Sequence, residues 1–337
     1  VLLATGAAPR ALEPARIIKL ADADDGRYQD VFALYPGGAR LAAVRKDGAG
    51  HVRLETIELA TGAVVKSRDL PAAAGALERL ELPPAGPSVV ALVRDGDGRE
   101  APLSALLIDG AGRVAERVGP ATAFGRPHAP HRRGRAAGSL LLAVNRVISG
   151  PADAPETTYT ITPYHLETLA QAGPPSSPWP SPDGGAIDPA TAELWAEGRT
   201  ALAALNQDDK GVDVVDQMGN RQPALLAVPF RLYDPRSLRD LEGPAGELYF
   251  GIAVDPVNPD ALRRRKPDLP MLDLYAAPAP VGRTQAPARL CARVFAPRPV
   301  TWRAGYGKLV VLKRSKPAAR EGDELQVYDL TAAGCRG

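Results

Sequence analysis

What most constrains this chain is a repeated grammar: an apolar strand, a polar loop of variable length, a second apolar strand, and a turn rich in Asp, Thr or Gly. The first copy is the clearest. Tyr35-Pro36-Gly37-Gly38-Ala39-Arg40 reads as a turn, Leu41 to Val44 as a strand, and Val52 to Leu59 as a second strand running into Ala60-Thr61-Gly62. The alternation of Val52, Leu54 and Ile57 to Leu59 marks a half-buried strand.

Five further copies follow. Ser88 to Val93 leads through Arg94-Asp95-Gly96-Asp97-Gly98 to a strand at Leu103 to Ile108, closing on Asp109-Gly110-Ala111-Gly112. Leu140 to Asn145 pairs with Tyr159 to Leu166 across a loop rich in Pro, Asp and Thr, a composition that places the loop in solvent. A fourth copy opens with Ser181-Pro182-Asp183-Gly184, uses Ala192 to Ala196 and ends at Phe230 to Pro235. The fifth pairs Leu248 to Val254 with Met271 to Tyr275, and the sixth pairs Lys308 to Lys313 with Glu324 to Leu330.

Spacings of roughly 40 to 70 residues compare with roughly 40 to 50 for a propeller blade. The expected fold is therefore all-β, a β-propeller of six blades in a single domain over residues 1–337. Its units fall at about 30–70, 71–119, 120–172, 173–240, 241–286 and 287–335. A seven-bladed ring, with Trp179 to Leu238 supplying two blades, is the alternative; Pro189 to Leu205 also admits an Ala- and Glu-rich helical insert, against which strands with a long excursion through Asn206 to Gly211 are the preferred reading. Ala15 to Leu20 is a strand without a partner in its own unit; it is expected to complete the last blade and remove an exposed edge.

At Ser181-Pro182-Asp183-Gly184, the degenerate Tyr35-Pro36-Gly37-Gly38, and the strand endings Leu59-Ala60-Thr61-Gly62 and Tyr328-Asp329-Leu330, the chain resembles the TolB-like and WD40-like bacterial propeller repeats. The resemblance spans nearly the whole chain and implies a fold. It implies no activity, because the Ser-Pro-Asp-Gly motif is a structural turn.

Composition narrows the function classes. With 41 basic and 39 acidic side chains the net charge is +2, which gives no bulk field to hold a polyanion, so no nucleic-acid partner is expected. The longest apolar runs, such as Ser139 to Val144 and Leu309 to Leu312, fall far short of the roughly 20 residues of a membrane-spanning helix. The start at Val1 suits a mature end after signal-peptide removal or a trimmed chain. Cys291 and Cys335 are the only cysteines, and a disulfide between them would tie down the C-terminus within the last blade and suit an oxidising compartment. The alternative is two buried thiols.

Chemistry-bearing clusters are few. His128 and His131 are close enough to share a metal but supply two ligands where zinc takes three or four, so no metal is expected. Asp22-Ala23-Asp24-Asp25-Gly26 and Asn206 to Asp213 lack the ligand spacing of a calcium loop and read as turns. The basic runs at His131, Arg132, Arg133 and Arg135, and at Arg263, Arg264, Arg265 and Lys266, have no interleaved aromatics. They read as solvated loops suited to contacting a partner protein. Trp179, Trp195 and Trp302 read as packing between blades. There is no Gly-x-Ser-x-Gly elbow, His-Glu-x-x-His, Walker loop or dinucleotide fingerprint, and no cofactor is expected.

The sequence therefore points to a non-catalytic interaction or scaffold subunit of an exported or cell-envelope assembly, with another protein as partner and the loops at Pro151 to Thr157 and Leu262 to Asp268 as contact elements. An enzyme with its site in the central funnel (a hydrolase, a lyase or a dehydrogenase subunit) and a glycan-binding module are the alternatives.

Overall fold

The computed structural model describes residues 10–20, 26–71, 76–98, 101–125, 140–154 and 156–175, the strands between 179 and 294 given below, and residues 300–314 and 322–330. Every regular element among them is a β-strand. In chain order, β1 (Arg10–Leu12) and β2 (Arg16–Lys19) precede a first sheet of β3 (Arg27–Leu34), β4 (Arg40–Lys46), β5 (Val52–Glu58) and β6 (Val64–Asp69). The second sheet holds β7 (Leu77–Glu81), β8 (Val89–Arg94), β9 (Leu103–Ile108) and β10 (Val114–Ala121). The third holds β11 (Ala123–Gly125), β12 (Leu140–Ser149), β13 (Glu156–His165) and β14 (Trp179–Pro180). The fourth holds β15 (Leu194–Ala196), β16 (Arg199–Leu205), β17 (Val212–Asp216) and β18 (Arg221–Gln222).

The fifth sheet consists of β19 (Arg239–Glu242), β20 (Leu248–Ala253), β21 (Leu272–Ala277) and β22 (Arg289–Val294), with β1 added parallel to β22. The last combines β23 (Val300–Gly305), β24 (Lys308–Lys313) and β25 (Glu324–Asp329) with β2, which pairs antiparallel to β25 from Arg16 opposite Val327 to Lys19 opposite Glu324. The first and last thirds of the chain thus meet in one sheet.

Burial follows from how the sheets stack. The middle strands are buried almost continuously, β4 from Leu41 to Val44, β8 from Val89 to Val93 and β24 from Leu309 to Leu312. A strand with both neighbours' side chains hidden must be covered on both faces, so each of these sheets lies between two others. Alternate residues divide accordingly: Leu41 and Ala43 join Ile18, Val310 and Leu325 in one core, while Ala42 and Val44 join Val89, Ala91 and Leu106 in the next. Val90 and Leu92 then face Leu141 and Ala143 in a third. The first strands β23, β3 and β7 lie side by side, whereas the last strands β6 and β10 are largely exposed. Stacked four-stranded meanders whose first strands converge and whose last strands splay outward make a β-propeller.

Two local features hold the seam between the last sheet and the first. Arg314 donates from Nη1 to the Tyr28 carbonyl at 2.5 Å and to Asp323 Oδ2 at 2.6 Å, and from Nη2 to Asp30 Oδ1 at 2.7 Å. Gly62, at φ +78°, sits where a Cβ would fall 2.8 Å from Ile18 Cγ2, so the turn after β5 closes directly onto β2.

The helical reading of Pro189 to Leu205 gives way here: Arg199–Leu205 is a strand paired with β15 and β17. Its alanines favour a helix in isolation, and pairing in a sheet overrides that weak preference. Arg289–Val294, which carries Cys291, belongs to the fifth sheet, not to the last one as the repeat spacing suggested. Cys335 lies outside the described residues.

Candidate functional site

Three polar groupings stand out among the described residues. The first is buried in the opening sheet. The register sets Tyr28 opposite Arg45 and Glu55 opposite Ala43, which gathers the three side chains on the face turned toward the last sheet. Tyr28 Oη donates to Glu55 Oε2 at 2.5 Å, Arg45 Nη1 lies 3.5 Å from Glu55 Oε1, and the Arg45 guanidinium sits 5.5 Å from the Tyr28 ring centre. Burial, then the hydrogen bond to Glu55 and the carboxylate's charge, drive the Tyr28 phenol far above its usual range, against the opposing pull of Arg45. A neutral phenol that donates to a buried carboxylate is fixed in place; with both groups almost fully covered, neither can meet a substrate.

The second grouping ties the outer strand of the second sheet to its neighbours. Ser104 is fully buried and donates from Oγ to Asp95 Oδ2 at 2.5 Å, and Arg117 Nη2 donates to Asp95 Oδ1 at 2.8 Å and to Ser104 Oγ at 3.1 Å. A serine nucleophile needs an adjacent base able to take its proton. Asp95 is instead paired with a guanidinium, and among the described residues no imidazole adjoins the trio; its bonds brace β9, β10 and the turn after β8.

The third is a pair of identical turns. Asp47-Gly48-Ala49-Gly50 joins β4 to β5, and Asp109-Gly110-Ala111-Gly112 joins β9 to β10. In each, Oδ1 of the aspartate accepts from the second and fourth following N–H groups, at 3.0 and 2.8 Å for Ala49 and His51 and 2.9 Å for both Ala111 and Arg113. Gly50 and Gly112 supply the left-handed φ, +90° and +84°, that such a turn requires. Partial burial works against the Asp47 carboxyl, but the His51 N–H, the His51 ring and the Ala49 N–H together hold it below its ordinary value. At Asp109 the Arg113 N–H leads, opposed by partial burial and helped by the Arg113 guanidinium and the Ala111 N–H, with the same outcome.

All three groupings are occupied in holding strands and turns together. What remains uncommitted is a projecting arm. Strands β12 and β13 pair over ten residues each, from Leu140 opposite His165 to Ser149 opposite Glu156. Burial ends at Val144 on β12, and the four residues beyond Asn145 are exposed. Val147 and Ile148 are 44% and 58% exposed although they point to opposite faces of the hairpin. An arm bare on both faces has left the stack of sheets. The Pro151 to Thr157 loop expected to face solvent is its tip, and its described residues are exposed.

The other expected site residues are not brought into view. His128, His131, Arg132, Arg133 and Arg135, the run Arg263, Arg264, Arg265 and Lys266, the cluster Asp22 to Asp25 and residues Asn206 to Gly211 lie outside the described residues. Trp302 is half-buried on β23. Among the described residues, no three His, Cys, Asp or Glu side chains are grouped to hold a metal ion. Sequence reasoning missed the length of the arm; the β-branched pairs Val147-Ile148 and Thr157-Thr158 were the available signal.

No family model matches the chain. No curated protein matches it. Solved structures similar to it include the β-propeller domain of the Trilobed protease from Pyrococcus furiosus, at 11% identity over 88% of this chain and 80% of that one, with a TM-score of 0.43. A subtype N11 neuraminidase-like protein of A/flat-faced bat/Peru/033/2010 (H18N11) aligns at 9% identity over 96% of each chain, with a TM-score of 0.42. Uncomplexed acylaminoacyl peptidase of Pyrococcus horikoshii aligns at 12% identity over 91% of this chain and 44% of that one, with a TM-score of 0.43. None of the three transfers a residue role to this chain.

Proposed function

We propose that this chain is a non-catalytic protein-binding subunit of an exported or cell-envelope assembly, its six sheets forming the blades of a ring that β2 closes. The observation that carries the reading is the β12–β13 arm, whose ladder runs four residue pairs past Asn145 while Arg146 to Ser149 on β12 stay exposed. Strands are ordered at a cost of about 1–2 kcal/mol of backbone entropy per residue, so a projecting hairpin without a covering sheet is best explained by a contact made outside the chain. The described polar clusters support the same reading, since each braces the scaffold. An oxidising location would go with the Cys291 and Cys335 pair as a disulfide, which mass spectrometry of the unreduced protein reads directly.

The test replaces Val147 to Thr158 by a two-residue Asn-Gly turn that joins the paired residues Arg146 and Tyr159, and repeats co-purification from the native source. A stoichiometric partner should be retained by the intact chain and lost, at least about tenfold, by the shortened arm, with thermal unfolding nearly unchanged. Equal capture by both forms would remove the arm from the interface, and the absence of any stoichiometric partner in repeated preparations would end the scaffold reading.

A further inference from the structure

The two edges of the arm are unlike. On one side β14 pairs with Thr158 and Tyr159, covering β13 nearly to the tip. On the other, β11 pairs with β12 only from Leu142 to Val144, and among the described residues no strand continues the ladder. The next outward-facing backbone group is Arg146 N–H, which donates to Thr122 Oγ1 at 2.9 Å just before β11 begins. That bond fixes the side to which Arg146 turns its main chain. Strand periodicity then sends the N–H and C=O of Ile148 to the same side, past the end of β11, while Val147 turns inward to β13.

We propose that this edge, past Arg146 and as far as Ser149, accepts an extended segment of a partner protein as an added strand, with an acidic side chain within reach of the Arg146 guanidinium. The inference rests on the protein-binding reading above and specifies how that binding is made. Strand addition uses the main-chain donors and acceptors of a free edge for affinity and alternate side chains for selection. Ile148 provides both the outward donor and an exposed apolar side chain, and Val147 covers the opposite face. Arg146 is the only charged side chain in the run from Asn145 to Gly150, it is exposed, and it makes no ion pair among the described residues. Opposite charges on neighbouring strands are favourable within reach of a long side chain.

A second copy of this chain fits the edge less well. Four residues of strand span roughly 13 Å, and one such pairing buries a few hundred Å², far below the roughly 1,200–2,000 Å² of a stable interface. A linear segment bound by one added strand is of the right size for a weak, selective contact.

The experiment titrates the full chain with a synthetic peptide, acetylated and amidated at its ends, of alternating valine and threonine with one central glutamate. Amide exchange at Ile148 N–H should slow on addition of peptide, a readout that needs no variant. Ile148→Pro removes the outward N–H without touching the bonds to β13, and proline is tolerated on a strand edge whose N–H faces solvent. It should bind the peptide about tenfold more weakly while melting with the parent, and Ile148→Thr should bind within about twofold of the parent. Replacing the peptide's glutamate by lysine should weaken binding, and Arg146→Glu should restore it.

Undiminished binding by Ile148→Pro, or no change in exchange at Ile148, would overturn strand addition. So would self-association of the free chain that Ile148→Pro abolishes, since the occupant would then be a second copy. If the peptide fails to bind while a native partner still depends on the shortened arm, strand addition falls and the protein-binding reading stands.

Discussion

The hairpins β4–β5 and β12–β13 occupy the same slot, the second and third strands of their sheets, and end in opposite ways. In the first, the buried residues Leu41 to Val44 and Leu54 to Ile57 reach close to the turn, which Asp47 seals by accepting hydrogen bonds from its own backbone. In the second, burial stops at Val144 on one strand, and the ladder runs on for five more pairs, from Asn145 opposite Thr160 to Ser149 opposite Glu156. Among the described residues of the turn at the tip, Ala154 N–H donates to the Pro151 carbonyl at 3.0 Å. Where length is matched to the core, a hairpin is scaffold. Where length exceeds the core, the surplus is available to something else.

The sharpest way to break this comparison is to truncate side chains at matched places. Leu41→Ala empties a site with no exposure and should cost about 2–5 kcal/mol in denaturant unfolding, whereas Ile148→Ala on the arm should stay within about 0.5 kcal/mol. A comparable loss at Ile148 would mean that the arm packs structurally after all.

The contrast also marks what could be read from the sequence. The strands around Leu41 to Val44, Val89 to Val93, Leu103 to Ile108, Leu248 to Ala253 and Lys308 to Lys313 were legible because unbroken apolar runs between Asp-Gly or Pro-Gly turns have few other uses in a chain of this composition. The seam strand at Arg16 to Lys19 was legible from its lack of a local partner. The first strands were not. Arg27-Tyr28-Gln29-Asp30 and Leu77-Glu78-Arg79-Leu80-Glu81 mix charge with apolar residues because they are edge strands, paired on one side only. The Tyr28, Glu55 and Arg45 cluster depends on a register that shifts between Tyr28 and Phe32, which no local pattern encodes. The arm was hidden for a simpler reason: exposed Arg, Ser and Thr residues beside a Pro-rich turn look the same in a loop as in a strand that leaves the core.

A second test works on the buried acid of the first hairpin, a kind of group the arm does not contain. Glu55→Ala would leave Tyr28 Oη and the Arg45 guanidinium without their shared carboxylate and should cost about 3 kcal/mol at pH 7. The intact cluster also predicts an alkaline limit. Because the phenol of Tyr28 is shifted upward on folding, its contribution is complete below the ordinary phenol value near about 10 and is lost as pH rises beyond it toward the higher folded value. Tyr28→Phe should abolish that part of the alkaline fall in stability, measured as Tm between pH 8 and 11. A pH profile unchanged by Tyr28→Phe would mean that the phenol is hydrated in solution.

The smallest effect separates the two turns themselves. Asp47→Asn keeps an acceptor of the same shape at the β4–β5 turn but removes the charge that its surrounding N–H groups and the His51 ring favour. A carboxyl held below its ordinary value contributes fully above that value, near about 3.9, and its contribution disappears as pH falls through the lower folded one. The variant should therefore melt slightly below the parent at pH 6, with the offset shrinking as pH falls below about 4. Asp153→Asn in the turn of the arm should leave Tm unchanged over the same range, because Asp153 is exposed and borders no core. If both substitutions gave the same pH-dependent offset, the aspartate would not be what distinguishes a hairpin fitted to the core from one that outgrows it, and the difference would have to come from buried area alone.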